Sequence, residues 1–429
     1  MAQETTSYDA VLKEVYEAGI REMIPTKTRV LTIFEEGDNS AWMGREVVYP
    51  SRIGRNQGIG WASEMGALPE ADKQKYVDTR IPVRFLYGRI TLSAQVMKAS
   101  ENSRGAFAPA FRQEMEGIIL DLQNERGRAI FGTGLGIYAF INGAANSATQ
   151  NIDSPGGWAG AINGARFIAP GMTIGLVNPG NGQLRANSVR RVVNVPTQGD
   201  RLILDSAVNA SDNDYIVRVQ HPAITDVSDT SYQKEIMGLG GLVDDGGYVL
   251  TLHNVNRFTY PLFQSTVIPN VGAWSSDVIQ RGSDVADQRG GGSITDLVMH
   301  HSLRRVYIQS MESYRRYVGA DLMNPDQGTR AMQQRQLGFG GVPIIEDKYA
   351  PYNVAFGLDR SGFKRYALEP GAWAQEDGAI LCRVGTGRMA IDAFEAFYRI
   401  WDNFHCDYPH RCFRLDGFTG AVIVPIQLP

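Results

Sequence analysis

The chain has 429 residues, enough for two or three well-buried cores, and its 43% hydrophobic and 21% charged content is ordinary for a globular protein. A formal net charge of −4 excludes a basic surface broad enough to wrap nucleic acid, and three cysteines (Cys382, Cys406, Cys412) are too few for a disulfide framework. The opening MAQETTSYDA lacks the basic and apolar regions of a secretory signal, and no apolar run approaches the ~18 residues of a membrane span, so a soluble, cytosolic chain is expected.

Residues 5–24 read as an amphipathic helix, with Val11, Leu12, Val15, Tyr16 and Ile20 on one side and Pro25 as its stop. A long β segment separates it from the next helix, so it is expected to act as an arm that packs elsewhere. Residues 45–98 come next as two long strands, REVVYPSRI and YVDTRIPVRFLYGRITLSAQV, around a Gly-rich charged tip from Gly54 to Lys75. On the return strand Ile81, Val83, Phe85 and Tyr87 alternate in odd register and Ile90, Leu92, Ala94 and Val96 in even register. A one-residue slip at Gly88 predicts a bulge or corner where the strand changes surroundings. An isolated two-stranded ribbon is marginal in water, so one this long should lie on another body, such as a second subunit.

From Ser103 to Phe131 apolar residues recur at three- and four-residue steps (Phe107, Phe111, Met115, Ile118, Ile119, Leu122, Ala129, Ile130). This predicts one long helix, roughly 39 Å at ~1.5 Å per residue, with Ser103 as N-cap and Gly132, Gly134 and Gly136 ending it. Gly117 and Gly127 inside it each cost about 1 kcal/mol against alanine, so packing must hold this spine. Leu135 to Ala165 is Gly/Ala/Asn-rich with little periodicity. Over 166–221 short runs (MTIGLV, VRRVVNV, RLILD, YIVRV) between turn signals predict a small β-barrel or sandwich. Beyond His221 the pattern is mixed: helices over Ser276–Arg289 and Ser302–Tyr317, and strands at 294–299, 342–345 and 354–356, an α/β unit with at least one parallel pair. Residues 388–402 and 411–423 then read as closing strands with a turn near Pro409.

Few residues suggest chemistry. Gly385–Ala390 fits G-x-G-x-x-A, but a dinucleotide fingerprint needs a helix next and then a further strand, and the residues after Ala390 read as β. His405, Cys406, His410 and Cys412 crowd together, yet their spacing is not two separated ligand pairs, and they are better read as structural than as a zinc site. The pairs Glu35-Glu36, Asp244-Asp245 and Glu376-Asp377 read as solvated turns, and His300-His301 points two ways. No nucleophile elbow, zincin or phosphate-loop motif occurs, so no catalytic residue, cofactor or metal is assigned.

The order of parts carries more than any motif, and it resembles the major capsid protein of tailed phages with the Hong Kong 97-type fold. The segments LGFGGVPIIEDKYAPYNVAFGLDRSGFKRYAL, ITDLVMHHSLRRVYIQSMESYRRY and FYRIWDNFHCDYPHRCFRLDGFT are similar to that family's strand, helix and late-strand runs. The resemblance implies an α+β fold: N-terminal arm (1–44), extended β-ribbon or E-loop (45–98), P domain with the spine helix 103–131 (99–165), inserted β module (166–221), A domain (222–387) and a closing β segment of the P domain (388–429). It implies a structural subunit forming hexamers and pentamers of an icosahedral shell around double-stranded DNA, with scaffolding, portal and decoration partners, assembled in the host cytoplasm. Arg52, Arg55, Arg80 and Arg84 would pair across subunits with Glu64, Glu70 and Asp72 of the ribbon tip, and Trp61 and Phe85 would add apolar burial. An encapsulin-like compartment is the alternative within the fold. A β-rich enzyme with a pocket in the 221–380 region is the alternative outside it.

Overall fold

In the computed structural model, residues 29–37, 42–43, 46–95, 107–196, 199–221, 223–224, 226–312, 338–375, 380–384 and 391–419 are described. The helix predicted over 5–24, the Ser103 cap, Glu376-Asp377 and Gly385–Ala390 lie outside these residues.

Strands β1 (Glu46–Gly54) and β2 (Lys75–Pro82) pair antiparallel from Glu46↔Pro82 to Gly54↔Lys75 and form the ribbon. At ~3.3 Å per residue its ladder runs roughly 30 Å. The ladder ends at Val83, and β3 (Arg84–Ser93) pairs with a different strand altogether, late in the chain, in the register Phe85↔Trp401. The change of surroundings therefore occurs at Val83, not at Gly88. Ile81 and Val83 are buried, but Phe85 and Tyr87 are exposed and the even positions Gly88 and Ile90 face inward. The sequence pattern is misleading here because two aromatics occupy the outer face of β3. Gly88 has another role: a Cβ there would stand 2.8 Å from Leu122 Cδ1 and 3.1 Å from Ile118, so only glycine lets the spine helix lie this close to the strand.

That helix, α1, spans Phe107–Phe131, 25 residues and about 37 Å. Met115, Ile119, Leu122, Ala129 and Ile130 are buried, as the periodicity predicts, and Gly134 and Gly136 take positive φ just beyond its end. Gly127 is required by packing, since a Cβ would meet the Tyr349 ring at 2.4 Å, whereas a Cβ at Gly117 would meet nothing within 4 Å.

After α1 comes a closed six-stranded barrel: β4 (Ile137–Ile141), β5 (Ala145–Asp153), β6 (Thr173–Val177), β7 (Arg190–Asn194), β8 (Arg201–Ala210) and β9 (Tyr215–Arg218). The order around it is β8-β5-β4-β9-β6-β7. Ile141, Ile152, Ile174, Leu176, Leu202, Leu204 and Ile216 fill it. The β module expected at 166–221 therefore begins earlier, because β4 and β5 lie in the stretch that reads as patternless. β4 is a continuous apolar run and β5 is built of small polar residues, with Gln150 and Ile152 as its buried side chains, so neither alternates visibly.

The α/β unit is a six-stranded mixed sheet. In spatial order it runs β10 (Thr266–Ile268), Phe413–Asp416, Val354–Leu358, β11 (Asp296–Met299), β12 (Val342–Glu346) and Gly338–Phe339, and its parallel pairs are β10 with 413–416 and β11 with β12. Helices α2 (Ser276–Gly290) and α3 (His301–Glu312) flank it; Ser275 caps α2 by accepting the Asp277 N–H, and Gly291 ends it with φ 59°. The closing segment 388–429 is not one unit. Ala393–Cys406 lies between β3 on one side and Phe363–Trp373 on the other, forming the sheet that α1 covers, whereas Phe413–Asp416 crosses into the α/β sheet. The predicted turn at Pro409 is present, but the strands around it belong to different sheets, so one segment stitches the two bodies together.

Candidate functional site

The most unusual surface is the ribbon tip. Every residue from Ile59 to Tyr76 is exposed, including Ile59, Trp61, Met65 and Leu68, with Trp61 and Met65 bare to their full area. Four large apolar side chains left in water within ten residues make this tip the candidate site. Asn56 and Asp72 hold the two arms of the tip together. Asn56 Nδ2 donates to the Asp72 carbonyl at 2.7 Å, and the Asp72 carboxylate accepts the Lys73 and Gln57 N–H groups at 2.7 and 3.3 Å. Those two N–H groups hold Asp72 below its usual carboxylate range.

Arg52, Arg55, Glu64, Glu70 and Arg80 are all exposed, and none forms an ion pair with a described residue of its own chain. Arg84 differs. It is half-buried at the foot of the ribbon, and its Nη1 donates to the Gln233 carbonyl at 2.8 Å, so this arginine is already engaged within the chain. Burial lowers its pKa. Phe85 belongs to a second exposed patch on the outer face of the sheet under α1. It stacks on Tyr87 (6.4 Å) and meets Trp401 edge-on (5.5 Å), and Arg399 lies over the Trp401 ring at 4.9 Å.

The ribbon's foot is clamped to the body. Val47, Ile81 and Tyr366 form a small apolar cluster, and the Arg80 N–H donates to the His253 carbonyl at 3.2 Å. The Tyr49 hydroxyl hydrogen-bonds His405 Nε2 and donates to Asp407 Oδ1 at 3.1 Å, and Lys364 Nζ holds the other Asp407 oxygen at 2.6 Å. Lys364 and His405 help hold Asp407 down at about 2 against the opposing effect of burial.

Buried charges, hidden from a sequence reading, fasten the modules to one another. Asp244, read as part of a solvated turn, is fully buried and pairs with Arg257 and Arg414 at 3.1 Å each while accepting the N–H groups of Gly246, Tyr248 and Val249. Arg126 of α1 and Arg365 share Asp402. Arg128, near the end of α1, holds both Glu125 and Glu235 and lies 3.9 Å from the Tyr138 ring at the start of the barrel; burial pushes Glu235 up to about 7. Arg166 sits between the Tyr352 and Phe167 rings and donates to the Ala350 and Lys348 carbonyls.

Cys406 and Cys412 are buried and unbridged, His405 is engaged as above, and His410 donates to the Leu262 carbonyl at 3.0 Å. Among the described residues no group of three or more His, Cys, Asp or Glu is arranged to hold a metal ion. The segment after Gly385–Ala390 is a strand, not the helix that a dinucleotide fingerprint requires. A groove of about 420 Å³ lies between β3 and α1, lined by Arg89, Leu92, Glu114, Gly117, Ile118 and Asp121; none of its lining residues comes from 221–380, where an enzyme reading expects a pocket. No described helix is long and apolar enough to cross a membrane.

No family model matches the sequence, and no curated protein does. Solved structures do resemble it. A chain of the cyanophage A-1(L) capsid asymmetric unit superposes with a TM-score of 0.51 at 10% identity, over 88% of this chain and 89% of that one. The capsid of the native GTA particle gives 0.45 at 10% identity over 90% and 89%, and the capsid of the Myoviridae phage XM1 gives 0.41 at 9% over 91% and 91%. The cyanophage match is the one that bears on fold, and with ribbon, spine helix and mixed sheet in the same chain it gives this protein the fold of a phage capsid protein.

Proposed function

We propose that this chain is a tailed-phage major capsid protein, a subunit that assembles as hexamers and pentamers into an icosahedral shell around double-stranded DNA. The observation that carries the reading is the ribbon tip: Ile59, Trp61, Met65 and Leu68 stand in water on a chain with a capsid fold. Fully burying such a side chain contributes about 1.5–3 kcal/mol, whereas an exposed ion pair contributes ~0–1 kcal/mol. The apolar residues therefore supply the strength of the contact with a neighbour, and Arg52, Arg55 and Arg80 facing Glu64, Glu70 and Asp72 of other copies set its register. Phe85, beside Tyr87 and Trp401, extends the contact surface on the sheet, while Arg84 keeps the ribbon's foot on its own chain. A shell needs several such contacts per subunit, and projecting elements that are buried only on neighbours provide them. The mild net negative charge suits a wall that encloses DNA without gripping its phosphates. Scaffolding, portal and decoration proteins would be its partners, and assembly would take place in the host cytoplasm.

Deletion of residues 55–74 with a short turn in their place tests this. The variant should keep its fold by circular dichroism and sediment as a small species where the intact chain sediments as shells. Undiminished assembly would contradict the role given to the ribbon.

A further inference from the structure

Where the ribbon joins the body, two buried histidines lie side by side with their rings tilted 52° to one another. His253 and His405 have ring centroids 5.1 Å apart, and both are buried. His253 Nε2 donates to the Phe404 carbonyl at 3.0 Å, so its neutral ring carries the hydrogen on Nε2. For His405, one arrangement gives each hydrogen a partner: Nε2–H donates to the Tyr49 hydroxyl, which donates in turn to Asp407. His405 Nδ1 is then a bare lone pair, buried and without a hydrogen-bond partner among the described residues. Protonating that ring would create a buried N–H with no acceptor beside a second imidazole.

We propose that the His253–His405 pair is an acid-operated latch on the ribbon. When both rings are neutral it ties Tyr49 of β1 and the Arg80 backbone of β2 to the body; when one is protonated, the foot of the ribbon is released. This goes beyond the shell reading, because it rests on contacts made within one chain.

The surrounding charges act differently on the two rings. Asp407 Oδ1, 3.4 Å from His405 Nε2, favours a charge on that ring; Lys364, which engages Asp407 at 2.6 Å, opposes it, and burial outweighs the carboxylate. Arg84 from β3 and Arg257 oppose a positive charge on His253, and His405 itself does the same. Tyr366 and Cys406, the other titratable groups near the Tyr49 hydroxyl, add no positive charge. Burial is the largest cause holding both histidines below the usual imidazole range. Because the folded pKa values are depressed, the stabilisation is fully present above the unfolded value of ~6.5 and is lost as pH falls below it. Opening is easiest where the least has to move. The ribbon's foot is held by the cluster of Val47, Ile81 and Tyr366, by Ile53 and Val77 against the main core, by Asn403 Nδ2 donating to the Pro82 carbonyl at 2.7 Å and by these hydrogen bonds, whereas the rest of the sheet is covered by α1.

Hydrogen exchange of the intact chain at about pH 7.5 and about pH 5, corrected for intrinsic rates, tests the latch. Exchange over 46–54 and 75–82 should rise roughly tenfold at the lower pH while barrel strands 173–177 and 215–218 stay protected. A His253→Gln, His405→Gln double variant should abolish the difference. Tyr49→Phe, which keeps the ring but removes the hydroxyl, should leave the foot of the ribbon loose at both pH values. Equal protection of the ribbon at the two pH values in the native chain would overturn the proposal, as would a pH response that survives in the double variant or unchanged protection in Tyr49→Phe.

Discussion

Asp244 shows most clearly how a residue's role depends on what the fold brings to it. In the sequence it is half of Asp244-Asp245 in a Gly-rich stretch, which reads as a solvated turn. In the fold its carboxylate is wholly buried between Arg257 and Arg414, two guanidinium groups that come from 13 and 170 residues away. Nothing local marks it, because both partners depend on tertiary structure. Removing one member of a buried, hydrogen-bonded charge cluster typically costs about 3–5 kcal/mol, since the remaining charges stay buried without compensation. Asp244→Ala should therefore lower unfolding free energy by that amount in a denaturant titration, and a loss below about 1 kcal/mol would mean that the arginines find water or new partners. The exposed ribbon residues are the opposite case. Trp61, Glu64 and Glu70 are singled out from sequence by the length of the ribbon and the resemblance to the capsid family, and the fold leaves them exposed.

At the scale of elements, the long helix and the ribbon are legible because each repeats its period over many residues. Where one period gives way to another, the sequence is less informative. The corner between ribbon and sheet lies at Val83, and alternation alone places it at Gly88 because Phe85 and Tyr87 are apolar residues on an outer face. β4 and β5 go unread for other reasons: β4 is an apolar run with no alternation, and in β5 small polar residues fill positions where a strand usually shows its buried side. The two glycines within α1 make the difference between propensity and packing testable. Gly117→Ala should stabilise by about 1 kcal/mol, since the added methyl meets nothing. Gly127→Ala should destabilise despite the same gain in helix propensity, because the methyl would press on the Tyr349 ring at 2.4 Å. Thermal melts of the two variants should shift in opposite directions; shifts of the same sign would show that α1 moves freely against Tyr349.

At the scale of the whole molecule, the chain is sewn together by elements far apart in sequence. Residues 393–406 complete the sheet beneath α1, and 413–416 enter the α/β sheet between β10 and 354–358. The barrel comes directly after α1 and is fixed to it by Arg128, Glu235 and Tyr138. Sequence order shows the succession of parts but not this crossing, because the strands on both sides of Pro409 have the same pattern and differ only in their partners. The body is thus closed around several cores, with the ribbon's foot packed against it and the apolar residues of the ribbon's tip uncovered. Copies of itself are the partner the proposed function requires.

Electron microscopy of the purified full-length protein tests that claim most directly. Closed shells or capsomer rings, with ribbon density lying over an adjacent subunit and Trp61 covered there, are the predicted result. A discrete small particle with the ribbon free in solvent, unchanged at high protein concentration and on co-expression with neighbouring gene products, would contradict the account.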